Sequence, residues 1–266
     1  MYTNLILGYG LAVVMGFTLG LFGGGGSILS VPIFVYVLGI SPILSTAYSL
    51  FVVGFSALIG SVKKHLSKEI AYKVGIIFAL PSIITVYATR RFVVPNIPDQ
   101  IGEINGFILT KDIAIMVFFA IVMFVAAISM IKGRKNVEKR KVKMNVPLLI
   151  LEGIVVGFIT GLVGAGGGFL IVPALVLLVG LPMNQAVATS LVVISLKSLI
   201  GFTGDLGGGQ LIDWSFLLIF TMFSLVGLLL GLFATKHIDS TKLKKAFGWF
   251  VLVMAVFIMA LEVFIK

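Results

Sequence analysis

Two short runs of glycine are the residues of this chain best suited to hold a ligand. Residues 23–26 read GGGG and residues 164–168 read GAGGG. Consecutive glycines weaken a helix by about 1 kcal/mol each, and without a Cβ their N–H groups can approach a ligand closely. A helix that begins after each run would add partial positive charge and free N–H donors. The runs therefore predict two broken helices that form an anion site from Gly23, Gly24, Gly25, Gly26, Ser27, Gly164, Gly166, Gly167 and Gly168.

A proline follows each run, at Pro32 and Pro173. We expect each proline near the first turn of the helix after the run, where its missing N–H is tolerated. A cation site made from unwound carbonyls is the alternative, and it is disfavoured because no acidic residue lies beside either run. The spacing of Gly16, Gly20, Gly157 and Gly161 has a plainer meaning, since it is typical of close helix packing in membranes.

Hydroxyl and amide side chains follow in the segments SPILSTAYSL and LPMNQAVATSL. They could point donors at the same place, although a membrane Ser or Thr often bonds a carbonyl of its own helix instead. Ser49 and Ser190, which occupy equivalent positions, are the first candidates for substrate binding, together with Thr189. The other candidates are Ser45, Thr46, Asn184 and Gln185.

Two ionisable residues lie inside apolar segments, where a charge is a functional candidate by default. Lys197 is a further candidate for substrate binding, and snorkelling or pairing with Asp205 is its alternative role. Glu152 could carry a coupled proton, and a salt bridge to a loop lysine is its alternative. His65 and His237 lie in basic loops, where we expect both to be solvated.

The composition requires a lipid environment for these residues. Of the 266 residues, 59% are apolar and 11% are charged, and the mean hydropathy is +1.20. A soluble domain carries about 25% charged residues, so a soluble enzyme and a nucleic-acid-binding domain are both excluded. The chain has no cysteine, which excludes disulfides and thiolate metal sites. No cofactor and no hydrolytic arrangement of Ser, His and Asp is indicated, so we do not expect an enzyme.

Ten apolar segments are predicted, and two of them, after the glycine runs, are too short to cross about 30 Å of hydrocarbon. They could be full crossings or re-entrant hairpins. The ten segments cover residues 4–22, 27–40, 43–62, 74–89, 113–131, 146–163, 168–181, 184–202, 214–235 and 246–265.

The charges of the loops predict the orientation. Residues 63–73, 132–143 and 236–245 carry net charges of +3, +6 and +3, whereas residues 90–112 are neutral and residues 203–213 carry −2. With ten crossings the three basic loops share one side, which the positive-inside rule makes cytoplasmic. We therefore expect a multi-pass protein of the cell membrane with both termini outside and a basic cytoplasmic linker.

The chain contains an internal repeat. A shift of 141 residues aligns residues 16–60 with residues 157–201 without a gap and with 19 identities in 45 positions. We therefore divide the chain into a first repeat (1–131), a linker (132–145) and a second repeat (146–266). Five segments in each half would insert the second copy upside down. Inverted repeats with broken helices are the sequence sign of a secondary transporter.

The two blocks GLFGGGGSILSVPIFVYVLG and GLVGAGGGFLIVPALVLLVG, each followed by A-x-S-L, resemble the TauE/SafE family of sulfite and organosulfonate exporters. The resemblance implies a secondary carrier for small sulfur-containing anions such as sulfite, sulfonates or sulfoacetate. The motif positions it carries over are Gly23, Gly25, Gly26, Pro32, Ser49, Gly164, Gly166, Gly167, Gly168, Pro173 and Ser190. The half-sites are unequal, since Ser27 stands opposite Gly168 and Tyr48 opposite Thr189.

We therefore expect an all-α polytopic membrane protein with two inverted halves of five segments, working by alternating access around a midplane anion site. Its expected partners are a small anionic substrate and the lipid bilayer, with no nucleic acid, and a homodimer is plausible. A carrier or channel for another anion, such as a carboxylate, is the alternative within transport. A membrane subunit that anchors a partner without transporting anything is the alternative outside it.

Overall fold

The computed structural model describes residues 2–98, 100–104, 107–132, 145–163, 167–206, 212–235 and 237–264. Over these ranges the chain is helical, as predicted, apart from one short hairpin. The α-helices are α1 (Tyr2–Phe22), α2 (Gly25–Pro32), α3 (Pro42–Leu66), α4 (Tyr72–Ala88), α5 (Lys111–Lys132), α6 (Val146–Val163), α7 (Gly168–Ala174), α8 (Met183–Leu206), α9 (Trp214–Thr235) and α10 (Ser240–Phe264).

Three helices continue into π-helical turns, at Ile33–Val37 after α2, Thr89–Val93 after α4 and Leu175–Val179 after α7. A 3₁₀ turn, Val94–Asn96, follows the second of these. The hairpin pairs β1 (Gln100–Ile104) with β2 (Phe107–Thr110) in antiparallel register. The predicted loop 90–112 is therefore partly wrong, because α4 and its π-turn carry Arg90 inside the helical part of the chain.

Membrane helices account for most of the described ranges. Eight helices there are long and apolar enough to cross a bilayer, and the segments Gly25–Val37 and Gly168–Val179 are apolar but shorter. Large apolar side chains point outwards from them, including Ile84, Met222 and Phe233, each more than 60% exposed. Such an apolar exterior is stable in lipid and not in water. The chain is a multi-pass membrane protein.

Glycines bring the long helices into backbone contact, as the small-residue spacing predicts. A Cβ at Gly16 or Gly20 of α1 would strike the backbone of α9, and a Cβ at Gly157 of α6 would strike the backbone of Ser82 in α4. Gly161 of α6 faces the side chain of Thr89, the residue directly after α4. Helix α1 therefore packs on α9, while α6, which occupies the position of α1 in the second half, packs on α4.

Helices α3 and α8 cross at the centre of the molecule in antiparallel directions. Gly54 of α3 faces Leu199 of α8, whereas Gly60, further along α3, faces Leu191, which is earlier on α8. Both helices are more deeply buried than the other six crossing helices of the described chain. The short helices α2 and α7 pack against this central pair and against each other.

Candidate functional site

The first glycine run breaks the helix, as predicted. Helix α1 ends at Phe22, and α2 begins at Gly25 after two residues of non-helical backbone. Gly23 has a φ of +68°, a conformation that favours glycine because it has no Cβ. Its N–H still donates to the carbonyl of Leu19 over 2.8 Å, so the chain turns away only after one last helical bond.

The second run also lies between two helices, and part of the run is outside the described residues. Helix α6 ends at Val163, and α7 begins at Gly168 after Gly167, whose φ is +66°. The candidates Gly164 and Gly166 fall within 164–166 and so lie outside the described residues. The carbonyl of Gly167 accepts the N–H groups of Leu170 and Ile171, which starts α7.

The expected position of the two prolines is wrong. Pro32 is the last residue of the eight-residue α2, and Pro173 lies inside α7. Each helix begins directly at the glycine run, which places the proline at least one turn further along than expected. A proline inside a helix lacks the N–H for a regular bond, and a π-turn begins one residue after Pro32 and two residues after Pro173. After Pro32, the π-turn bond runs from the N–H of Leu38 to the carbonyl of Ile33 over 3.1 Å.

The two glycine breaks meet each other. A Cβ on Gly24 would strike the backbone of Gly168, and a Cβ on Gly168 would lie 2.6 Å from Cδ1 of Ile194 and 3.1 Å from the carbonyl oxygen of Gly23. Only glycine permits this approach between main chains. The N-termini of α2 and α7 therefore converge on α8.

Serine side chains join the breaks to the central helices. The Ser190 hydroxyl lies 2.9 Å from the carbonyl of Gly23, to which it donates, and 2.8 Å from that of Val187 on its own helix. Ser49 and Ser30 share a hydrogen bond of 2.6 Å between hydroxyls, and Ser27 donates to the carbonyl of Gly24 over 2.7 Å. All four serines are fully buried. Ser190 thus contacts the first break directly, and Ser49 contacts α2.

Lys197 brings a buried amine to the second break. Only 1% of this residue is exposed, and its Nζ donates to Oγ1 of Thr160 on α6 over 3.1 Å. A Cβ at Gly167 would lie 2.5 Å from the same Nζ, so the amine lies beside the residue that caps α7. Pairing of Lys197 with Asp205, its alternative role, is wrong, because Asp205 pairs with Arg90. Burial of the side chain also argues against snorkelling.

Positions along helix α8 give the depth of this cluster. Its contacts with the glycine runs extend from Val187 and Ser190, at Gly23, to Ile194 and Lys197, at Gly168 and Gly167. Helix α8 runs from Met183 to Leu206. With a rise of about 1.5 Å per residue, Ser190 and Lys197 lie about 10 Å and 21 Å along a helix about 36 Å long. The first break therefore lies against the first third of α8, and the second break lies against its middle.

Of the other predicted donors, three bond atoms outside the glycine cluster and two lie at the start of α8. The hydroxyl of Thr189 accepts the N–H of Ala71, just before α4, over 3.0 Å, which places it outside the glycine cluster. Ser45 and Thr46 donate to the carbonyls of Ile40 and Ile43, the local bonding named as their alternative. Gln185 and Asn184 lie at the start of α8, one to two turns before Ser190.

Glu152 lines a separate cavity. The cavity has a volume of about 530 Å³, lies between α5, α6 and α7, and is bounded mainly by apolar side chains. Both carboxylate oxygens of Glu152 are buried and lack a hydrogen-bond partner among the described residues. Pro173 and Ala174 of α7 form part of the same wall. One end of α7 thus lies at the glycine cluster and its other end at the cavity of Glu152.

Sequence reasoning missed one buried ion pair. Nη1 of Arg90 lies 3.5 Å from Oδ1 of Asp205, and the side chains are 1% and 12% exposed. Both residues were counted as loop charges because they follow the last apolar residue of their segments. The echo of Ala88-Thr89-Arg90 in Ala234-Thr235-Lys236 is a sequence signal that this part of α4 belongs to the repeated helical region.

The comparisons with known proteins agree on a family of membrane transporters. The family model described as "Sulfite exporter TauE/SafE" matches residues 9–258. A "Probable membrane transporter protein" of Xylella fastidiosa is 26% identical over 262 residues, covering 96% of this chain and 95% of the relative. A protein with the same description from Methanocaldococcus jannaschii is 32% identical, with 72% and 70% covered. Another from Bacillus subtilis is 28% identical, with 78% and 80% covered. No solved structure matches the chain.

Proposed function

Because this chain belongs to the sulfite exporter TauE/SafE family of membrane transporters, we propose that it carries small sulfur-containing oxyanions such as sulfite, sulfonates or sulfoacetate. The proposed mechanism is secondary transport by alternating access around an anion site near the middle of the membrane. The site consists of the two glycine breaks, with Ser49, Ser190 and Lys197 beside them. Transport by this chain requires no chemistry on the substrate, so the residues need only bind, orient and release it.

The amine of Lys197 is the observation that carries this proposal. It is buried, it lies beside Gly167 at the N-terminus of α7, and no carboxylate among the described residues is within ion-pair distance. A helix N-terminus is itself positive by about half a charge, so an ammonium group there gains nothing from the dipole. A bound anion would pair with the ammonium group and with the helix N-terminus, since buried charges are normally paired. This arrangement favours an anion over a cation as the substrate.

The packing supports two related halves. The order of elements repeats, from a long helix through a short helix with a π-turn to three more long helices. The contacts repeat as well: Thr235 of α9 donates to the carbonyl of Gly20 over 3.1 Å, and Thr89, directly after α4, packs on Gly161. We propose that the halves are inverted relative to each other, with the basic loops in the cytoplasm and the termini outside.

Alternating access would then use the short helices. Ser56 of α3 and Lys197 of α8 are equivalent positions of the repeat, near the middle of two helices that cross in antiparallel directions. A tilt of α2 and α3 against α7 and α8 would open the cluster to one side and close it to the other. The direct contact between Gly24 and Gly168 is the place where such a tilt requires no side chain to move.

Flux into proteoliposomes tests the proposal. The full chain is reconstituted into liposomes that contain unlabelled sulfite, and radiolabelled sulfite is added outside them. We expect labelled sulfite to accumulate by exchange and methanesulfonate to compete with it. In Lys197→Met the exchange should fall by about ten- to a hundredfold, since a hydrogen bond to a charged group contributes about 1.5–3 kcal/mol.

A matched control comes from the same helix. Ser195 lies two residues before Lys197 and bonds only its own helix, through the carbonyl of Val192, so Ser195→Ala should exchange sulfite normally. If acetate exchanges and neither sulfite nor methanesulfonate does, the substrate is a carboxylate and the sulfur assignment is wrong. If no anion exchanges in the folded parent, the chain is an anchoring subunit instead.

A further inference from the structure

The buried ion pair between Arg90 and Asp205 leaves part of the guanidinium unused. Only Nη1 faces Asp205, at 3.5 Å. Nε and Nη2 of Arg90 are buried and have no hydrogen-bond partner among the described residues, and Oδ2 of Asp205 is in the same state. A buried donor without a partner costs about 1–3 kcal/mol, so this pair is incompletely satisfied.

The two unused nitrogens form one edge of the guanidinium. Nε–H and the neighbouring N–H of Nη2 point in the same direction, and this fork matches two oxygens of a carboxylate, phosphate or sulfur oxyanion. Arginine is therefore suited to hold Asp205 through Nη1 and an oxyanion through the other edge at the same time.

The ion pair at the end of α3 has a different geometry. Asp205 corresponds to Lys64 under the shift of 141 residues. Nζ of Lys64 lies 2.7 Å from Oε2 of Glu69, a normal charge-assisted bond, and the two side chains are 5% and 27% exposed. Neither side chain has a buried atom without a partner within the described ranges. The contrast indicates that the pair of Arg90 and Asp205 has a role beyond holding two helices together.

Arg90 is also connected to the cluster around Lys197. Thr160 of α6, which bonds Lys197, is followed by Gly161, and a Cβ there would lie 2.7 Å from Cβ of Thr89. Arg90 is the next residue, in the π-turn at the end of α4. On α8, Asp205 lies eight residues after Lys197, about 12 Å along the helix. Helices α4, α6 and α8 thus lead from the middle of the membrane to Arg90.

We propose that the Nε–Nη2 edge of Arg90 is a second oxyanion site, occupied by the substrate on its way between the Lys197 cluster and the side opposite the basic loops. Asp205 competes with the anion for the guanidinium, which keeps binding weak enough for release. A π-turn fits this role, because such turns are frequent at functional sites. This inference rests on the proposed function for the identity of the anion, but not for the existence of the site.

Anion-dependent stability of the full chain in detergent tests the inference, with sodium sulfite as the probe. Asp205→Asn removes the competitor. Without sulfite, we expect the melting temperature of this variant to be below that of the parent. With sulfite, we expect the variant to reach half of its stabilisation at about a tenfold lower concentration than the parent needs. The matched variant Glu69→Gln breaks the other ion pair and should show no such gain.

A second comparison isolates the fork of Arg90. In a Lys197→Met background we expect sulfite still to stabilise the chain, and the further change Arg90→Lys, which keeps the charge and removes the fork, to abolish that response. An unchanged response with Arg90→Lys, together with an Asp205→Asn response equal to that of Glu69→Gln, would overturn the inference. Even if the second site were overturned, loss of sulfite exchange in liposomes with Lys197→Met would still support the proposed function. If the parent exchanges no sulfite, the proposed function fails, while rescue of Asp205→Asn by sulfite still supports the site.

Discussion

Gly24 and Gly168 pack main chain against main chain, so that each half of the protein contributes one broken helix to a single point of contact. Neither residue has a side chain to fill the space between the two helix starts. Ile194 of α8 closes the contact from a third direction. At this contact each glycine has only a hydrogen atom where any other residue would have a Cβ. The close approach of α2 and α7 therefore requires glycine at both positions.

A methyl group at this point should lower both stability and transport. For Gly24→Ala and Gly168→Ala we expect a loss of about 1–3 kcal/mol, typical of overpacking, and a more than tenfold loss of sulfite exchange. Melting of the purified chain and liposome exchange measure the two effects. Gly10→Ala is the control, since nothing lies within 4 Å of a Cβ at Gly10 in α1. Normal exchange by Gly24→Ala would mean that the contact is not needed for movement.

A proton on Glu152 is proposed to couple to transport. A carboxylate among apolar side chains costs several kcal/mol unless a proton or a cation neutralises it, and no cation among the described residues is within ion-pair distance. In Glu152→Gln we expect sulfite exchange to persist, whereas uptake driven by a pH gradient should fall at least tenfold. Paired exchange and pH-jump assays on the same liposomes measure this.

Ser129→Ala provides the control for Glu152. Ser129 lines the same cavity but bonds the carbonyl of Val125 on its own helix, so its loss should leave both assays unchanged. Gradient-driven uptake that survives in Glu152→Gln would remove Glu152 from the coupling mechanism and leave the anion site unaffected.

The orientation is open to a direct measurement because the chain has no cysteine. Ser67, after α3, and Ser215, at the start of α9, are both exposed. We expect Ser215→Cys to react with a membrane-impermeant maleimide in intact cells, and Ser67→Cys to react only after the cells are permeabilised. The reverse pattern would place the basic loops outside and contradict the positive-inside assignment.

The helix breaks could be predicted from the sequence because their cause is local. Consecutive glycines weaken a helix, and the repeat places the same glycine-rich stretch in the chain twice. The helix that follows begins directly at the glycines, so Pro32 lies at the end of α2 and a π-turn follows it. That displacement depends on where the helix starts, which residue types alone did not specify.

Tertiary contacts account for what sequence reasoning could not reach. Lys197 could be recognised as buried, but its position beside Gly167 depends on how α6, α7 and α8 pack. Arg90 was counted as a loop charge because a charged residue normally ends a membrane segment, whereas here a π-turn buries it. The hairpin was missed although Asn105-Gly106, between Ile104 and Phe107, is a strong hairpin signal.

Selenite locates the anion most directly, because it resembles sulfite and its selenium gives an anomalous signal. The absence of cysteine removes the thiols with which selenite would react. In crystals of the full chain soaked in selenite, we expect an anomalous peak about 3–4 Å from Nζ of Lys197, beside Thr160 and Gly167. An absence of any peak near Lys197, at a selenite concentration that saturates the thermal stabilisation of the same protein, would contradict the proposed site.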